Sequence, residues 1–187
     1  MNDNPIRLIQ WQDPNDPDEI VAIEQYLSGV LKEKCPNIDS RTALTLHDFQ
    51  SGLRSLITPP GTDILYISAH GDKEGISAGG ESLSFLELGN LLADHLNGQS
   101  GIWLVFGSCE AANIGSELFN SVPPSISTVF GFEGKPTAKE VATFMSYIVS
   151  KDQLYIFCEG GLLPQFSALE SKPCMWVREW VKMSSLP

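Results

Sequence analysis

A chain of 187 residues with 42% hydrophobic, 9% aromatic and 19% charged side chains has the make-up of one ordinary globular domain spanning residues 1–187, able to bury roughly 70% of its unfolded surface, and is a poor fit to disorder, collagen or coiled coil. Its 23 acidic against 12 basic residues, net −11, oppose nucleic-acid phosphates and anionic membranes and favour a neutral or basic partner, with solubility as the simpler use of the charge. No apolar run approaches the roughly 18 residues that span a bilayer, and no basic-then-apolar leader opens the chain, so a soluble, cytoplasmic protein is expected.

Taken in chain order, the periodicity predicts strands and helices in alternation. Residues 6–11 read as a first strand, and Asp16-Pro17-Asp18-Glu19 supplies the cap of a helix with Ile20, Ile23, Leu27, Val30 and Leu31 on its buried face, ended by Cys35-Pro36. A short strand is expected over 42–46, then a helix burying Phe49, Leu53, Leu56 and Ile57 and stopped by Pro59-Pro60-Gly61. Residues 63–69 form an almost wholly apolar strand delivering His70-Gly71, followed by a hairpin around Gly79-Gly80. Ser84-Phe85-Leu86-Glu87 is a capping box for a helix burying Phe85, Leu88, Leu91, Leu92 and Leu96 and stopping near Asn97-Gly98. A second apolar strand over 101–107 delivers Ser108-Cys109-Glu110 at the start of a short helix with Ile114, Leu118 and Phe119 inward. A strand through 128–132 and a capped helix from Thr137, burying Val141, Phe144, Met145 and Ile148, come next. Residues 154–157 fit either a strand or a helix, and Trp176 and Trp180 are expected to pack on the sheet. Alternation of this kind means a mostly parallel sheet with helices on both faces.

Four cysteines at 35, 109, 158 and 174 form no Cys-x-x-Cys pair, which argues against a zinc site and a disulfide framework and for reduced thiols. No metal and no cofactor are implied. A glycine-rich phosphate loop after the first strand is also missing, since Trp11-Gln12-Asp13-Pro14-Asn15-Asp16 stands there with acids that would repel phosphates, and this argues against a flavodoxin-like or nucleotide-binding reading. His70 and Cys109 carry the chemical signal, because each follows an apolar strand and the carboxyl ends of neighbouring parallel strands open onto one crevice. Taken singly, a cysteine or histidine at a strand end is usually structural. Together they form a nucleophile and a base: the imidazole raises the thiolate fraction of Cys109, and a helix N-terminus at Cys109 stabilises the anion. The backbone N–H groups of Gly71 and Cys109 are candidates for an oxyanion hole. Asp72 is near enough in sequence to bias His70, although exposed loop carboxylates are commonly just solvated. His47 opens one helix and His95 closes another, without comparable context.

The run from Ile64 to Gly71, the hairpin, the capped helix and Leu104-Val105-Phe106-Gly107-Ser108-Cys109-Glu110-Ala111-Ala112 resemble the caspase-fold (clan CD) cysteine peptidases, with the bacterial CHAT-type and legumain-like branches nearest. The resemblance, covering about residues 6–148, implies a caspase-like three-layer α/β/α sandwich with His70 after the third strand and Cys109 after the fourth. It also implies cleavage of a protein substrate, with regulation by a separate activating protein or by oligomerisation, as in bacterial antiviral defence or cell death. Metacaspase-like members carry a pocket-shaping acid two positions before the cysteine, where this chain has Gly107, and the Gln-Ala-Cys of caspases is replaced by Gly107-Ser108-Cys109. Specificity for Asp, Arg or Lys therefore does not carry over. Glu110 and Glu133 join Asp72 as candidate substrate-binding acids. The competing reading is a noncatalytic caspase-like module that binds a protein in the same crevice.

Overall fold

Six strands make the central sheet of the computed structural model, which describes residues 5–15, 29, 31, 37–58, 62, 64–72, 74–107, 120–132, 134, 136–148 and 173–177. In chain order the described elements are β1 (Ile6–Trp11), β2 (Ile38–Ala43), α1 (Leu46–Ile57), β3 (Ile64–Ser68), β4 (His70–Gly71), β5 (Gly75–Ala78), β6 (Glu81–Ser84), α2 (Phe85–His95), β7 (Ile102–Phe106), β8 (Ile126–Phe132), α3 (Ala138–Ile148) and β9 (Pro173–Val177). The main sheet runs β2-β1-β3-β7-β8-β9, and β4-β5-β6 form a small second sheet. Every main-sheet pair is parallel except β8 with β9. The fold is therefore mixed α/β with a mostly parallel central sheet.

Period-two alternation sorts the strands onto two cores. Ile9 and Trp11 of β1, Leu65 and Ile67 of β3, and Leu104 and Phe106 of β7 face α1 and α2, whose Phe49, Leu53, Leu56, Leu88 and Leu92 complete one cluster. Ile6, Leu8, Ile64, Tyr66 and Val105 face the other way and meet Val141, Phe144, Met145 and Ile148 of α3. Trp11 stacks on Phe49 with ring centroids 5.2 Å apart. Behind the sheet Phe144 meets Phe130 and Phe132 edge-on at 5.5 and 5.4 Å. Strands buried on both faces are why their sequences run almost continuously apolar.

The capping boxes form as the sequence indicates. The Ser84 hydroxyl accepts from the Glu87 N–H at 3.2 Å while the Glu87 carboxylate accepts from the Ser84 N–H at 2.9 Å, and Thr137 and Glu140 exchange the same pair of bonds. Gly79 and Gly80 turn the β5–β6 hairpin with φ of +60° and +81°, the double left-handed conformation of a type I′ turn.

Three elements differ from expectation. The second strand is Ile38–Ala43, not 42–46, because Thr45 caps α1 through a bond from the Asp48 N–H to its hydroxyl at 3.1 Å and so draws Leu46 into the helix. His70-Gly71 is itself a short strand, antiparallel to β5. The chain also returns through β9, whose backbone adds antiparallel to β8 in register from Thr128↔Val177 to Phe132↔Pro173. The helix expected after Asp16 lies outside the described residues apart from Gly29 and the fully buried Leu31. The short helix after Cys109, residues 154–157 and Trp180 lie outside them too. Among the described residues no helix is long and apolar enough to cross a membrane.

Candidate active site

Adjacent parallel strands bring His70 and the end of the strand that precedes Cys109 to one edge. Ile67 of β3 stands beside Phe106 of β7, and one residue further the Gly107 N–H donates to the Ile67 carbonyl at 2.9 Å. The two segments thus leave the sheet side by side, one reaching His70 three residues later and the other leading toward Cys109. Cys109, Glu110 and Glu133 lie outside the described residues. His70 has an exposed side chain.

The small sheet sets the attitude of the His70-Gly71 backbone. His70 pairs with Ser77 and Gly71 with Ile76, while the Asp72 N–H donates to the Gly75 carbonyl at 3.1 Å. Hydrogen-bonded and non-hydrogen-bonded pairs alternate in an antiparallel ladder, so the Gly71 N–H is directed away from β5. The Asp72 carboxylate accepts from the Glu74 N–H at 2.7 Å and the Gly75 N–H at 3.2 Å, an Asx turn closing the loop between β4 and β5.

His70 lines an open cleft of about 520 Å³ together with Asp13, Asp72, Glu74, Glu81 and Glu87. Among the described residues its wall holds five carboxylates and no lysine or arginine, and those carboxylates lend it negative potential. Sequence reasoning missed Asp13, which it read only as an acid hostile to phosphate. The residue follows β1, and β1 and β3 are adjacent and parallel, in register from Ile6↔Ile64 to Gln10↔Ser68. The Asp13 carboxylate accepts from the Asn15 backbone N–H at 2.8 Å and the Asn15 side-chain amide at 3.0 Å. Its second oxygen accepts from the Gly79 N–H at 3.1 Å, across 66 positions of sequence. These donors, the Asn15 backbone first, hold the carboxyl below the ordinary aspartate range; partial burial works against them, and the Gly79 N–H, the Asn15 amide and the charge of His70 add to the lowering. An Asp-x-Asn turn directly after an apolar strand was the available sequence signal. A second carboxylate, Glu81, accepts from the Leu46 N–H at 2.7 Å and ties the other arm of the hairpin to the start of α1.

Gly107 has a specific reason to lack a side chain. A Cβ there would fall on the Tyr66 hydroxyl and lie 2.8 and 2.9 Å from ring carbons Cζ and Cε2. Tyr66 is 3% exposed. The space a side chain at position 107 would take is therefore filled by a phenol from the neighbouring strand.

Neither a family model nor a curated protein matches the chain. Among solved structures it is similar to a secreted C11 cysteine protease from Bacteroides thetaiotaomicron, "iotapain", with a TM-score of 0.58 at 12% identity, covering 88% of this chain. The chain spans 65% of the length of that protein. At this identity the likeness establishes the fold, that of a caspase-like α/β sandwich.

Proposed function

We propose that the chain is a cysteine-type endopeptidase with a His70–Cys109 dyad. His70 takes the thiol proton, the sulfur of Cys109 attacks the scissile carbonyl, and the tetrahedral oxyanion is held by the N–H groups of Gly71 and Cys109. The C–N bond then breaks as His70 returns the proton to the leaving amine, leaving a thioester. Water, deprotonated by His70, attacks the thioester and releases the carboxylic acid and the thiol. The observation that carries this reading is the exposed His70 at the carboxyl end of β3, beside the strand that leads to Cys109, in a caspase-like fold. The outward-directed Gly71 N–H supports the oxyanion assignment.

The carboxylates around His70 favour a substrate segment that is neutral or basic, with Asp72, Glu110 and Glu133 as the acids assigned to reading it. The setting we assign is regulated proteolysis in a bacterial cytoplasm, of the antiviral or cell-death kind found in the CHAT-type branch, with a separate protein as activator.

The test is cleavage of a mixed peptide library and of candidate partner proteins by wild type, Cys109→Ala and His70→Ala, with folding checked by circular dichroism. Cleavage lost in both variants is expected. A wild type that neither cleaves, with a partner present, nor reacts with iodoacetamide at Cys109 would instead make the crevice a protein-binding site without chemistry.

A further inference from the structure

The order β2-β1-β3 reverses direction between β1 and β3: from β1 the chain moves outward to β2, then returns to the other side of β1 to make β3. In open α/β sheets such a switch point is where loops part and a crevice forms at the carboxyl ends. Here one flank of the crevice delivers Asp13 and the other delivers His70, and both side chains line the same cleft. Asp13 is also locked in place. Three N–H donors from Asn15 and Gly79 hold both of its oxygens, and Gly79 lies two residues beyond Ser77, the cross-strand partner of His70. The carboxylate that faces the cleft is thus fastened to the same hairpin that fixes the His70 backbone.

From this juxtaposition we propose that Asp13 is the positioning residue for His70, holding the hairpin that pairs with the His70 strand in register with the crevice and setting a fixed negative charge in the cleft that His70 lines. The proposal rests on the peptidase reading for its role in turnover. When His70 accepts the thiol proton of Cys109 it becomes an imidazolium facing a thiolate; a pre-positioned carboxylate stabilises that cation without needing to move or to take the proton itself. Asp72, Glu74, Glu81 and Glu87 share the cleft. The first is turned into its own loop by two backbone N–H bonds, Glu81 is bonded to the Leu46 N–H, and Glu87 is held by Ser84. Asp13 differs from all of them in bonding the tip of the β5–β6 hairpin from the flank opposite His70.

Two measurements test the assignment, one of which does not depend on turnover. The first follows the Asp13 carboxyl by carbon-13 NMR through the carboxylate range in wild type and in His70→Gln, with His70→Ala as the second variant. The expected result is a higher Asp13 midpoint once the histidine charge is removed, and equal midpoints in folded proteins overturn the proposal. The second compares kcat/KM of wild type, Asp13→Asn and Asp13→Glu at low and high salt. Asp13→Asn keeps a carbonyl acceptor for the hairpin but loses the charge, and should be about five-fold slower at low salt, the scale of a well-placed but solvent-accessible charge pair. That ratio should shrink toward one at about 1 M salt, where screening acts within about 3 Å, and Asp13→Glu should recover part of the rate. A salt-independent loss would reduce Asp13 to a structural anchor and overturn the electrostatic role. If wild type has no peptidase activity, the NMR arm still decides whether Asp13 and His70 are paired.

Discussion

Replacing Gly107 by alanine isolates the contact that fills position 107. Gly107 lacks a left-handed φ, so alanine is compatible with its backbone, and by the unfolded-state effect alone Gly→Ala would stabilise by about 0.4–1 kcal/mol. Against that stands the overlap of the new methyl with the Tyr66 hydroxyl and the ring carbons behind it. The phenol cannot swing aside cheaply, because it is buried in the cluster behind the sheet with Ile64, Val105 and Phe130. Forcing a methyl into such a packed place costs about 1–3 kcal/mol. The net expectation is a loss of about 1.3 kcal/mol, the difference between the middles of these two ranges. Urea unfolding of wild type, Gly107→Ala, Tyr66→Leu and the double variant reads it directly. In the Tyr66→Leu background the same substitution should turn neutral or stabilising, giving a coupling of about 1–3 kcal/mol between adjacent strands. A neutral Gly107→Ala in the wild-type background, or additive changes around the cycle, would refute the packing argument. The same overlap means that an acid placed at 107, as in metacaspase-like enzymes, would have to displace Tyr66 first.

Phe49→Ala removes the ring on which Trp11 stacks and opens the core beneath the Asp13 loop; a loss of about 3–5 kcal/mol is expected by chemical denaturation, and a change under about 1 kcal/mol would mean the core collapses around the gap. Glu87 should show its capping role through pH, since the Ser84 hydroxyl first, then the Ser84 N–H, lowers its carboxyl below the ordinary value of 4.5. A depressed folded-state value means that the ionised form favours folding. The stability of wild type over Glu87→Gln should therefore be fully present above the unfolded-state value, decline as pH falls, and vanish below the folded-state value; thermal unfolding across that range checks it, and a pH-independent difference would contradict the linkage.

Much of the architecture was legible because its signals are local. The apolar runs of β1, β3 and β7, the Ser84–Glu87 and Thr137–Glu140 boxes and the Gly79-Gly80 turn each act over a few residues, and each forms as read. β2 was misplaced because it is an edge strand: Asp39, Ser40, Arg41 and Thr42 carry no buried alternation, and Thr45, which reads as a strand former, acts as a cap. β4 is two residues long, too short for any period, and is created by pairing with β5. β9 depends on a partner 41 to 49 positions upstream, from Pro173 against Phe132 at its start to Val177 against Thr128 at its end. The position of His70 at the end of β3 was legible from the strand that delivers it. Asp13 was not, because its relation to His70 exists only after β1 and β3 become neighbours and the hairpin tip folds back onto the β1 loop.

The bonds from Asp13 to Gly79 and from Glu81 to Leu46 join segments separated by 66 and 35 positions, and such closures form late because ordering the intervening chain costs entropy before the contact is gained. The scaffold around His70 is consequently an assembly endpoint. Strands and caps can form from local sequence, but the histidine acquires its cleft only when the loop after β1, the hairpin and the start of α1 have met. A partly folded molecule therefore holds the imidazole before it holds the cleft around it.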